Sequence, residues 1–176
     1  MTGPQHKRFR QHPVVAVFGC ARERLPRMTS GADDQLDPEM RSRIADLAAT
    51  MSAEPSDVPR LGHIPDDATP SCVRDSDGVW HLIIRERGTV MFDRQSSDPE
   101  EFLSWVAVAI AEAASYRLHS PGAPDYLRRI WAEQYRMLTA ADPEWARAWL
   151  ERTRTRLVDQ GADDRELAQL PGGHHG

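Results

Sequence analysis

Apolar positions recur at helical spacing in four stretches and at strand spacing in one region between them. Met40, Ile44, Leu47, Ala48 and Met51 form a one-sided stripe that predicts a helix over residues 38–51. Phe102, Trp105, Val106, Ala109, Ile110 and Ala113 give a wider apolar face over 99–118, ended by Pro121-Gly122. Leu127, Ile130, Trp131 and Leu138 mark a third helix starting near Asp125. Trp145, Trp149 and Leu150 mark a fourth over 143–159, with Gly161 as its stop. Three of the four starts carry the same tripeptide: Asp37-Pro38-Glu39, Asp98-Pro99-Glu100 and Asp142-Pro143-Glu144. An Asp N-cap accepts from backbone N–H groups that lack a helical partner. Proline after it gives up a donor that had none, and Glu suits the positive end of the helix dipole.

Between the first and second helices, Val79-Trp-His-Leu-Ile-Ile-Arg85 is β-branched and aromatic. Trp80, Leu82 and Ile84 fall on one face, His81, Ile83 and Arg85 on the other. Arg87-Gly88 is a tight-turn signal leading into Thr89–Phe92, and Asp77-Gly78 would pair Cys72-Val73 with the long strand. The expected fold class is α+β: a small three-stranded antiparallel sheet covered by about four helices. The expected organisation is a disordered or extraneous extension over 1–30, an α+β domain over 31–160 and a flexible tail over 161–176.

Charge adds a contrast to this pattern. The 176 residues hold 22 basic and 27 acidic side chains, a net charge of −5. Residues 1–27 are basic, and the segment from Met28 to Gly78 is strongly acidic. The basic start and the apolar Pro13–Gly19 stretch invite two readings. One is a lipid-anchor signal, with Val17-Phe18-Gly19-Cys20 as its processing site; the other is sequence preceding a true start at Met28. No apolar run approaches the ~18 residues of a membrane span. Two cysteines, Cys20 and Cys72, exclude a disulfide scaffold and a cysteine-based zinc site. The chain carries no phosphate-binding glycine loop, no Gly-x-Ser-x-Gly and no His-Glu-x-x-His. Arg152, Arg154 and Arg156 lie in a segment of nearly balanced charge, which reads as a solvated helix face rather than a nucleic-acid stripe. No catalytic residue, metal site or cofactor is expected. The acidic loops around the strands, with Asp66, Asp67, Asp75 and Asp77, are the candidate surface for a basic partner, since complementary charge steers association.

The residues from Asp77-Gly-Val-Trp-His-Leu-Ile-Ile-Arg-Glu-Arg-Gly88, through Asp98 and Trp105, to Asp125-Tyr-Leu-Arg-Arg-Ile-Trp131, Gln134, Leu138 and Asp142-Pro-Glu-Trp145 resemble the immunity protein 63 family. With Pro59-Arg-Leu-Gly62 and the first helix, the resemblance spans about residues 36–160. It implies a protein of bacterial polymorphic toxin systems: a cytoplasmic, non-enzymatic inhibitor that binds a cognate toxin and occludes its active site. Glu86, Arg87, Arg128 and Arg129 match the family pattern, which carries over no binding residues; Glu86 and Arg87 complete the expected partner-binding set beside the acidic loops, and Glu86 is the expected partner of whichever helical arginine faces inward. Two alternatives make different demands. A small enzyme using Cys72, His81 or Glu86 requires these side chains to converge in a pocket. A lipid-anchored interaction domain requires processing at Cys20.

Overall fold

The computed structural model describes residues 36–173. The expectations for the N-terminal segment, including Cys20, Met28 and the domain boundary at 31, lie outside the described residues.

The chain begins with α1 (Pro38–Thr50), passes a 3₁₀ turn (Pro55–Asp57), and enters β1 (Arg60–Leu61), β2 (Ser71–Arg74), β3 (Trp80–Glu86) and β4 (Thr89–Ser96). It then continues through α2 (Pro99–Leu118), α3 (Tyr126–Ala141), α4 (Pro143–Asp159) and a short α5 (Asp164–Leu167). The three Asp-Pro-Glu signals act as read. Asp37 accepts from the Met40 N–H, Asp98 from Glu100 and Glu101, and Asp142 from Glu144 and Trp145. Asp125 precedes α3 without a side-chain cap.

The sheet has four strands in the order β1-β2-β3-β4, not three. β2, β3 and β4 form the expected antiparallel meander, and β1 adds to β2 in parallel, Arg60 beside Ser71 and Leu61 beside Cys72. A two-residue strand has no periodicity to read, so the sequence pattern misses it. β4 also runs four residues past Phe92, because Asp93-Arg94-Gln95-Ser96 is polar yet stays paired with β3.

The helices lie on one face of the sheet, with α2 packed against β3 and β4. Cys72, Leu82, Trp80 and Phe92 join the apolar residues of α1, α2, α3 and α4 in one core, where the Trp80 and Phe102 rings stack at 6.2 Å. α2 is the central helix, buried almost all round from Phe102 to Ser115. Arg117 fixes its far end to the 3₁₀ turn with two bonds to Asp57, at 2.9 and 2.8 Å. Residues 161–173, expected as a flexible tail, contain α5 with a reciprocal Asp163–Glu166 cap, and Leu170 is buried in the helical core.

Candidate functional site

At the β3–β4 turn, Arg87 and Gly88 both take positive φ, 50° and 75°, which suits a tight hairpin. Asp66 clamps this turn: both its carboxylate oxygens accept from the Gly88 N–H, at 2.9 and 2.8 Å. Arg85 reaches across to the Ile64 carbonyl at 2.9 Å and to Asp66 at 3.3 Å. Asp67 bridges to Glu86 through the backbone, and its carboxylate accepts from the Thr69 N–H. Thr69, by its hydroxyl first and its N–H second, holds the Asp67 carboxyl below the usual range. Arg87 projects from the tip with its side chain 90% exposed, 3.9 Å from Glu86. Asp66, Asp67, Glu86 and Arg87 therefore form one group.

Asp75 and Asp77 lie elsewhere, in the β2–β3 turn at the opposite end of β3. Seven residues at strand rise separate the groups by about 20 Å. Asp75 is occupied inside its own turn: Oδ1 accepts from the N–H groups of Asp77 and Val79, and Oδ2 lies 3.3 Å from His81 Nε2. Asp77 is exposed. The six candidate residues thus make two clusters, and Asp66, Asp67 and Asp75 hold loop structure as well as charge.

His81 is the residue whose surroundings the sequence hid most. It has no exposed surface, and its Nδ1 lies 3.0 Å from Asp93 on β4 while Nε2 faces Asp75. Burial disfavours the imidazolium, but the bond to Asp93, its charge and those of Asp75 outweigh that and raise the pKa. The Asp75 carboxyl is also penalised by burial, yet the Val79 N–H and His81 bring it below its ordinary value.

Cys72, His81 and Glu86 do not converge. Cross-strand partners share a face, and the register sets Cys72 opposite Leu82 and Val73 opposite His81. Cys72 therefore points into the helical core and His81 to the other face, while Glu86 ends the strand. Complete burial pushes the Cys72 thiol pKa far up, whereas a cysteine nucleophile needs its thiolate. The pairing of Glu86 with Arg128 or Arg129 is also replaced: both arginines sit on Asp125, at 3.3 and 2.8 Å. Arg152 and Arg154 are exposed, as a solvated helix face requires, while Arg156 is half-buried. Partial desolvation still lowers the Arg152 and Arg156 pKa values, and it lowers that of Arg94, whose guanidinium lies 4.1 Å over the Trp105 ring with Arg152 near enough to add repulsion.

Asp93, Arg94 and Glu112 were not singled out in the sequence. Glu112 sits in the middle of α2 with no exposed surface and no hydrogen-bond partner for either oxygen. Burial pushes its carboxyl well above the ordinary value, against the pull of Arg156. Its signal was legible: a charged residue in a helix apolar on all sides has nowhere to point but inward.

Among the described residues no group of three or more His, Cys, Asp or Glu could hold a metal ion, and no helix is long and apolar enough to cross a membrane. Residues 76–155 match the family model described as Immunity protein 63, which supports the resemblance seen in the sequence. No curated protein and no solved structure matches the chain. The matched span covers β3, β4, α2, α3 and the first three quarters of α4.

Proposed function

We propose that the protein is an immunity protein that binds a cognate bacterial toxin in the cytoplasm and neutralises it by covering its active site, without catalysis or cofactor of its own. The match of residues 76–155 to the immunity protein family carries this reading. The contact surface is assigned to the β3–β4 turn and the loop clamped to it. Asp66, Asp67 and Glu86 present acidic groups there, with Arg87 exposed at the tip. Such a rim suits a basic rim on the toxin, because complementary charges speed encounter and fix register. Asp77 and Asp75 at the other end of β3 form a second, smaller acidic contact.

The test is a binding measurement against the toxin encoded beside the protein's gene. Glu86→Lys combined with Arg87→Glu preserves net charge and leaves the Asp66 clamp on Gly88 in place. The expected result is unchanged thermal stability with slower association, and a wild-type association rate that falls with added salt. Equal rates for both proteins at every salt concentration would move the binding surface away from this turn.

A further inference from the structure

The two edges of the sheet are finished differently. β1, on one side, is two residues long, and Arg41 donates to its Leu61 carbonyl at 3.2 Å. β4, on the other, runs for eight residues, Thr89–Ser96, with a bulge near its start and neither lysine nor proline. Short length, lysine, proline and bulges are common means of keeping an edge from pairing, and β4 beyond its bulge has none of these.

The register settles which backbone groups of β4 face outward. The Asp75 N–H donates to the Val79 carbonyl and the Ala68 N–H to the Arg85 carbonyl, so the odd-numbered residues from Val79 to Arg85 turn their backbone groups toward β2. The even-numbered residues between them serve β4, and opposite them Phe92, Arg94 and Ser96 face β3. Val90, Asp93 and Gln95, set opposite Arg85, Ile83 and His81, therefore point their N–H and C=O groups away from the sheet. Among the described residues nothing bonds to these groups. Met91 beside them is 45% exposed, the only large apolar side chain of the described strands left so open.

The side chains along this edge call for a negative charge. Arg94 shares the helix-side face with its cross-strand partner Leu82 and lies 4.1 Å over the Trp105 ring. Arg152 of α4 is exposed and near enough to repel it. Glu101 attracts Arg94 more weakly and accepts from Ser96 Oγ at 2.7 Å. Among the described residues neither Arg94 nor Arg152 donates a hydrogen bond or joins an ion pair. Two guanidinium groups held near one another in this way favour a carboxylate between them. A second copy of β4 has none to offer there: its helix-side residues include Phe92, Arg94 and Ser96, and Asp93 lies on the other face, bonded to His81.

We propose, resting on the toxin-binding reading, that the outer edge of β4 takes an extended segment of the toxin as a fifth strand, with an aspartate or glutamate of that segment set between Arg94 and Arg152. Main-chain bonds to Val90, Asp93 and Gln95 hold the segment, and the carboxylate fixes its register, because cross-strand neighbours share a face. β4 leads directly from the β3–β4 turn, so one partner reaches both.

Amide hydrogen exchange of the full chain, alone and with the toxin, tests this. The Val90, Asp93 and Gln95 amides should exchange fast in the free chain and slow by roughly 100-fold or more in the complex. Gln95→Pro removes an outward donor and leaves the ladder to β3 intact, so binding should weaken about tenfold with little change in the thermal midpoint. Arg152→Glu, at an exposed helix position, should weaken binding most at low salt. A complex in which the three amides exchange as fast as in the free chain overturns the proposal and leaves the toxin-binding reading standing. Failure to form any complex removes that reading and this occupant together. Slow exchange of the three amides in the free chain also overturns the proposal, since the edge is then already paired; slowing that grows with protein concentration makes a second copy the occupant.

Discussion

His81 lies without exposed surface between two carboxylates, and that placement makes the stability of the sheet depend on pH. Its folded pKa is raised above the ordinary 6.5, so its contribution is complete below about pH 6.5 and is lost as pH rises through the folded value. The Asp75 carboxyl is lowered from 3.8, so its share is present above that pH and fades as pH falls. The cluster is therefore fully engaged between these two values. His81→Gln should cost about 1–3 kcal/mol at pH 6, the scale of hydrogen bonds to charged groups, and flatten the loss of stability above pH 6.5. Urea unfolding at a series of pH values reads both effects. A variant with the wild-type pH profile would show that the imidazole is not charged in the fold. Glu112 acts with the same sign from a lower pH. Its folded value is raised well above 4.5, so the unfolded chain ionises first and stability falls as pH rises from there. Glu112→Leu removes an unpaired buried carboxyl, and the thermal midpoint at pH 7 should rise, by about 1–3 kcal/mol of stability. A lower midpoint would mean that the carboxyl has work to do in the core.

At the scale of elements, helices and strands differ in how plainly the sequence announces them. α2 and α4 begin and end where caps and spacing predict, because each start has a local mechanism that needs no distant partner. Asp98→Ala should therefore cost about 1 kcal/mol in the denaturant midpoint, since two α2 N–H groups lose their acceptor. An unchanged midpoint would assign the start of α2 to packing alone. β1 and the second half of β4 were not visible for the opposite reason. Arg60–Leu61 is a strand only because β2 lies beside it, and Asp93–Ser96 only because β3 holds it. That omission hid the site chemistry as well. Asp93 meets His81 and Arg94 covers Trp105 through pairings that span more than ten residues of sequence. The acidic residues were visible as charges, but not as the turn clamps and caps into which Asp66, Asp67 and Asp75 are built.

The whole molecule is asymmetric in a way that separates its tasks. Helices cover one sheet face, supply the core and carry many exposed charges of their own, while the candidate acidic groups sit at the two turns that end β3. The turn bearing Arg87 lies inside the span matched by the immunity protein family, and the loop that clamps it lies just before that span. The most direct measurement titrates the toxin that the proposed function requires with the full chain and follows that toxin's residual activity against molar ratio. Inhibition by occlusion predicts a linear fall to the baseline at a fixed small-integer equivalence, together with a stable complex of the same composition. Full toxin activity in the presence of excess protein would contradict the account.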